Sequence, residues 1–226
     1  MTALLPVPRR DLLIVVVIAL AALFASLITN GTANAAAVPE DAFAPAFTHF
    51  IKASAGDQSE IDAAADRFDA LLRSEPTNPV LMAYAGAATA MRARTTMLPW
   101  KKMAHAEDGL ALVDKSLALL TPALDAPLQH GTPGSLEVRF VAANAFLAVP
   151  SFMNRGARGA KLLADVLASP LLAEAPLAFQ GSVWMRAAAL ATTEQRTADA
   201  QHYLNEVITH NAPQADKARS LLKGAA

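Results

Sequence analysis

The sequence predicts an all-α fold of paired antiparallel helices, on three observations. Hydrophobic residues make up 54% of the 226, much of that alanine, while aromatics are only 6%. Alanine lets helices pack closely and gives a sheet little to bury. Apolar residues also recur at helical spacing: Ala64, Phe68 and Leu71 fall at i, i+4 and i+7, one stripe of a helix. Prolines then fall between such stripes, at Pro76, Pro99, Pro150, Pro170, Pro176 and Pro213, where helices start or stop.

Residues 1–35 read as an export signal or an N-terminal membrane anchor. Arg9 and Arg10 precede an apolar run from Leu12 to Ile28 broken only by Ser26, and Ala33-Asn34-Ala35 follows. A basic start, an apolar centre and a small-x-small tripeptide make a secretory signal, with cleavage before Ala36. The other reading is an uncleaved anchor over 12–28, at the short limit of a membrane span. The paired arginines also weakly resemble a twin-arginine signal. With the arginines inside, either reading sends the rest of the chain outward. The expected location is the periplasm, free or tethered to the inner membrane, with membrane contact only through 12–28.

Residues 36–55 form a linker and a first helix, Ala42 to Ser54, with Phe43, Phe47, Phe50 and Ile51 on one side. Gly56-Asp57 breaks it, and Ser59 with Asp62 is the capping signal of a helix running to about Ser74. Asn78-Pro79 opens the next, with Asn78 as N-cap and Pro79 in the first turn, where a missing N–H costs nothing. It runs to about Thr95, and its small face of Ala83, Gly86, Ala87 and Ala90 admits a neighbouring backbone closely. A fourth helix spans Lys101 to Leu120, and Thr121 to Ser135, rich in proline and glycine, reads as a loop. Ser135 caps a fifth helix through Ala148. Asn154 to Gly159 is a basic turn, Ala160 to Ala168 a sixth helix, and Pro170 to Pro176 a break. Helices over Leu177–Ala191, Thr197–Thr209 and Pro213–Lys223 follow, the last stopped by Gly224.

The stretch Ala64–Gly86 resembles the junction between two tetratricopeptide repeats (TPR). A small residue, an aromatic four on and a proline eight further close one helix, and Gly86 sits ten residues later in the next. Ala200, Leu204 and Val207 repeat the stripe, and Pro213 follows nearly on schedule. Met82 and Thr89 replace the usual aromatics, and the Thr121–Ser135 segment breaks the repeat period. The segments LPWKKMAHAEDGLALVDKSLAL, LEVRF and SFMNR also resemble a group of exported bacterial TPR-like proteins. The resemblance implies a TPR-like solenoid of about eight to nine helices over residues 56–226, working as a scaffold that binds another protein or peptide segment, a membrane complex included.

Net charge is −1, so no global field attracts nucleic acid. The chain has no cysteine, which excludes disulfides, thiolate metal ligands and thiol catalysis. Motifs for zinc hydrolysis, serine hydrolysis and phosphate loops are missing. Gly156 to Lys161 has the wrong spacing for a phosphate loop, and Gly181-Ser182 lies inside a predicted helix. His202, Glu206 and His210 share a helix face, but the outer two stand roughly 12 Å apart, so one ion cannot take all three. A catalytic reading is an all-α hydrolase or lyase using His105, Glu107 and Asp108. The expectation is a non-enzymatic chain without cofactor or metal.

Two basic clusters are the candidate partner-binding residues. Arg92, Arg94, Lys101 and Lys102 surround Trp100, and Arg155 and Arg158 lie near Asn154, with Arg139 and Asn144 on the preceding helix. Arginine beside asparagine grips a carboxylate by charge-assisted hydrogen bonds, and a tryptophan anchors an interface. The alternative for both is a solvated face, with Trp100 buried against the long loop. A second functional reading is a small or lipidic ligand held between alanine-rich helices and the Thr121–Ser135 loop.

Overall fold

A computed structural model describes residues 37–224, and the expected signal or anchor lies outside that range. All secondary-structure elements among the described residues are helical. The first helix, α1, spans Glu40–Ser54, with Glu40 and Asp41 in its first turn, where they complement the helix dipole. Next come α2 (Ile61–Ser74) and α3 (Pro79–Met91). Asn78 caps α3 as expected: its Oδ1 accepts from the amides of Val80 at 3.0 Å and Leu81 at 3.3 Å. Ser59 does not cap α2. Asp57 accepts from the Ser59 amide at 3.1 Å instead, and a 3-10 turn, Gln58–Glu60, leads into the helix. After Met91 the chain tightens into another 3-10 turn, Arg92–Arg94, so the third helix ends earlier than its sequence suggests.

The fourth helix, α4, spans Pro99–Ala118, starting at its proline rather than at Lys101. The Thr121–Ser135 segment is partly structured. It holds two 3-10 turns, Pro122–Asp125 and Gln129–Gly131, and buries Leu124, Gln129 and Thr132. Helix α5 (Gly134–Ala148) follows. Ser135 does not cap it; the N-cap is Pro133, and the Ser135 hydroxyl donates to the Asp125 carboxylate. Asn154 takes a left-handed turn at φ 54°, and α6 (Gly156–Leu167) starts where a turn was expected. Between Pro170 and Pro176 one further helical turn, α7 (Leu171–Glu174), replaces the expected break. Then come α8 (Leu177–Thr193), α9 (Thr197–Thr209) and α10 (Ala215–Gly224).

Most helices pack on the next in sequence: α1 on α2, α2 on α3, α3 on α4, α5 on α6, α8 on α9 and α9 on α10. Alternate helices also touch, α3 with α5 and α6 with α8. The core follows this order as three adjoining clusters. The first, within α1–α5, holds an aromatic pile of Phe43, Phe50, Phe68 and Tyr84, with the Phe68 and Tyr84 rings stacked at 4.8 Å. Burying each of these rings is worth roughly 1.5–3 kcal/mol. The second cluster joins Leu136 to Leu163, Val183 and Ala187, and the third joins Trp184 to Leu204, Val207 and Ala218.

The tightest junction is α3 on α4. A Cβ on Gly86 would stand 2.6 Å from the Gly109 carbonyl oxygen, and one on Gly109 would stand 2.4 Å from that of Gly86. The two backbones therefore touch directly, as the small face of α3 predicted.

Candidate binding groove

One stripe of each odd-numbered helix in the first half turns toward a common groove of about 1920 Å³. Phe47, Phe50 and Ile51 of α1 line it, as do Tyr84, Ala87 and Met91 of α3 and Glu137, Val141 and Asn144 of α5. The spacing in each set is one helical face. In the second half α8 contributes Ala178, Ser182, Met185 and Ala189, and α10 closes the run with Lys217 and Leu221. The lining is mainly apolar. Ile51 and Phe152 are exposed there at 49% and 65%.

Polar groups interrupt this lining. Glu137 is only 3% exposed. Its Oε1 accepts from the Tyr84 hydroxyl at 2.7 Å, while its Oε2 is buried without a partner. Burial pushes its carboxyl up to about 8; the Tyr84 hydrogen bond opposes this and Glu40 adds to it. Glu137 is therefore mainly neutral at pH 7. Burial next to this acid also raises the Tyr84 phenol well above its ordinary value. His130 packs its ring on Phe47 at 4.7 Å and places Nε2 2.7 Å from Glu40. Arg186 is half-buried, with Nε enclosed and unpartnered, and burial lowers its pKa. The amide of Gln214 donates to the Ala178 carbonyl and the Ser182 hydroxyl, each at 3.0 Å, tying the entry of α10 to α8.

The structure separates the residues of the two basic clusters. Arg94, Lys102 and Asn144 line the groove. The Asn144 amide, however, donates to its own helix at the Phe140 carbonyl, 2.9 Å away. Arg92 is held by Asp62 at 3.0 Å and Asp66 at 2.6 Å, binding the end of α3 to α2. Trp100 is 67% exposed on the first turn of α4, with exposed Lys101 beside it, so it is not buried against the loop. Arg155 and Arg158 both pair with Asp114 of α4, and their guanidinium carbons lie 5.4 and 5.0 Å from the centre of the Phe146 ring. Asn154 donates to the Phe152 carbonyl at 3.3 Å. Arg139 donates to the Ser135 carbonyl at 3.3 Å and borders a separate hollow of about 480 Å³ beside Asp125 and Asp165.

Several other polar groups weighed from the sequence have local partners, while His105, Glu107 and Asp108 make no side-chain hydrogen bond or ion pair among the described residues. Glu206 sits between His202 at 3.9 Å and His210 at 3.6 Å. Lys161 pairs with Asp165 at 2.9 Å, and the Ser182 hydroxyl donates to the Ala178 carbonyl at 2.9 Å.

Glu137, Tyr84 and Arg186 were not among the sequence candidates. For Tyr84 and Arg186 the signal is a lone ionisable residue in an otherwise apolar stretch, as in PVLMAYAG and VWMRAAALA; Glu137 stands two residues from Arg139 in GSLEVRFVAA. Compared with protein-family models, with curated proteins and with solved structures, the chain matches none.

Proposed function

We propose that this chain is an exported, non-enzymatic scaffold of the TPR-like kind that binds a segment of another protein in its groove, in the periplasm or at the inner-membrane surface. Helices α1–α2, α3–α4, α5–α6 and α8–α9 then act as four successive hairpins of a solenoid, capped by α10. The observation that carries this reading is the lining of the groove: α1, α3, α5 and α8, the first helices of their pairs, and the cap line it with mainly apolar residues, joined by residues between Pro99 and Ala106 of α4 and between Thr197 and Leu204 of α9. That is how a repeat array presents a binding face to an extended or helical ligand. The export leader of the sequence supplies the location.

Size favours a polypeptide segment over a small molecule. Ligand pockets run roughly 300–1,000 Å³, and the groove holds about 1920 Å³. A cylinder of helix about 10 Å across with that volume is on the order of sixteen residues long. The apolar lining also supports a second reading, a lipidic ligand. Mass spectrometry of the purified chain separates the two, because that reading requires a stoichiometric small molecule.

Site-directed photo-crosslinking tests the proposal. A photoreactive residue at Ala189, exposed in the groove, should trap a protein partner in the native host. The same residue at Ala111 or Ala164, exposed on α4 and α6 away from the lining, should trap none. Equal trapping from all three positions would sink the groove as the binding face.

A further inference from the structure

The charge pattern of the groove specifies its occupant, an inference that rests on the binding reading above. The whole chain carries −1, yet the groove lining holds Arg94, Lys102, Arg186 and Lys217, and its only carboxyl among the described residues is that of Glu137. Elsewhere Lys52, Arg73, Arg92, Arg155, Arg158, Lys161, Arg196 and Arg219 each have an acidic partner, while Arg67, Lys101, Lys115, Arg139 and Lys223 make no ion pair among the described residues. None of the four groove cations has an acidic partner among the described residues either. What sets the groove apart is that four such cations share one lining with a single carboxyl among the described residues. Arg94 and Lys102 come from the corner between α3 and α4, Arg186 and Lys217 from α8 and α10.

Arg186 adds the sharper constraint. Its guanidinium is half-buried and its Nε enclosed with no acceptor, so folding has removed water from a cation without replacing it. An arriving carboxylate offers a forked acceptor that restores those bonds. Glu137, held mainly neutral by burial, leaves the positive field of the groove uncancelled at pH 7.

We propose that the groove receives an amphipathic helix of a partner protein whose apolar stripe is flanked by Asp or Glu, one of those carboxylates binding Arg186. The apolar floor takes the stripe, and the exposed Arg94, Lys102 and Lys217 steer the acidic flanks.

Fluorescence anisotropy with the full chain tests this. Three labelled helical peptides of equal length share one Leu/Ala stripe and carry Glu, Gln or Lys at the polar positions. The Glu peptide should bind roughly tenfold more tightly than the Gln peptide, the scale of one charge-assisted hydrogen bond, and the Lys peptide more weakly than either. Arg186→Gln should remove most of the preference for Glu and Arg186→Lys should restore part of it, with far-UV circular dichroism confirming the fold. If Arg186→Gln does not fold, the exposed pair Lys102→Gln and Lys217→Gln should still narrow the gap. Equal affinity for the Glu and Gln peptides, or a preference for Lys, overturns the acidic partner while leaving the groove a binding face. Binding of none of the three overturns the groove reading itself. Displacement of the Glu peptide by phosphatidylglycerol vesicles makes the occupant a lipid and overturns the proposal.

Discussion

Glu137 shows what a single buried acid does to a helical core. Its carboxyl has one hydrogen bond, from Tyr84, and one oxygen with none. The proton is held up to about 8 in the folded chain against 4.5 for an ordinary glutamate. Between those two values the folded state keeps a proton that the unfolded state has released. Stability is therefore full below about 4.5 and declines as the pH rises toward 8. The slope is at most roughly 1.4 kcal/mol per pH unit. Glu137→Gln removes the titrating group and keeps an acceptor for Tyr84. Urea midpoints of wild type minus Glu137→Gln, compared at pH 5 and pH 8, should show wild type losing a few kcal/mol relative to the variant. A difference that stays flat would show that the acid is solvated. Glu137 is hard to read from sequence because its hydrogen-bond partner, Tyr84, lies 53 residues away.

At the scale of elements, the α3–α4 junction depends on two glycines facing one another. Alanine at Gly109 gains roughly 1 kcal/mol of helix propensity. Its Cβ, however, would lie 2.4 Å from the Gly86 carbonyl, a backbone atom that cannot swing aside. Overpacking of this kind costs about 1–3 kcal/mol or more. Gly109→Ala should therefore lower the melting temperature, and a melting temperature at or above wild type would mean that the helices separate freely. This junction was half legible in the sequence. The Asn78-Pro79 cap and the small face of α3 are local chemistry and could be read directly, whereas Gly109 is one glycine in a charged stretch. Ser59 and Ser135 are the stronger local signals, but Asp57 caps the 3-10 turn ahead of α2 and Pro133 stands at the N-cap of α5. The basic clusters failed for a different reason. Whether Arg92 or Arg158 is free depends on acids 26 to 44 residues away, Asp66 and Asp114, which no spacing rule connects.

For the molecule as a whole, the core is a series of three clusters rather than one ball. The first, with the aromatic pile, is the largest, and the last rests on Trp184, Leu204 and Val207. Stability should fall along the chain in the same order. Hydrogen exchange followed by mass spectrometry should find α10 and α9 opening before α3, with separate exchange rates. A single uniform rate across all helices would show one cooperative block instead. The direct meeting of the α3 and α4 main chains has a mechanical consequence within this series. At the Gly86–Gly109 crossing no side chain separates them, so the shear by which packed helices usually adjust is restricted at that point. Any reshaping of the helix series would then fall on the flanking pairs, with Gly86 and Gly109 as its fixed point.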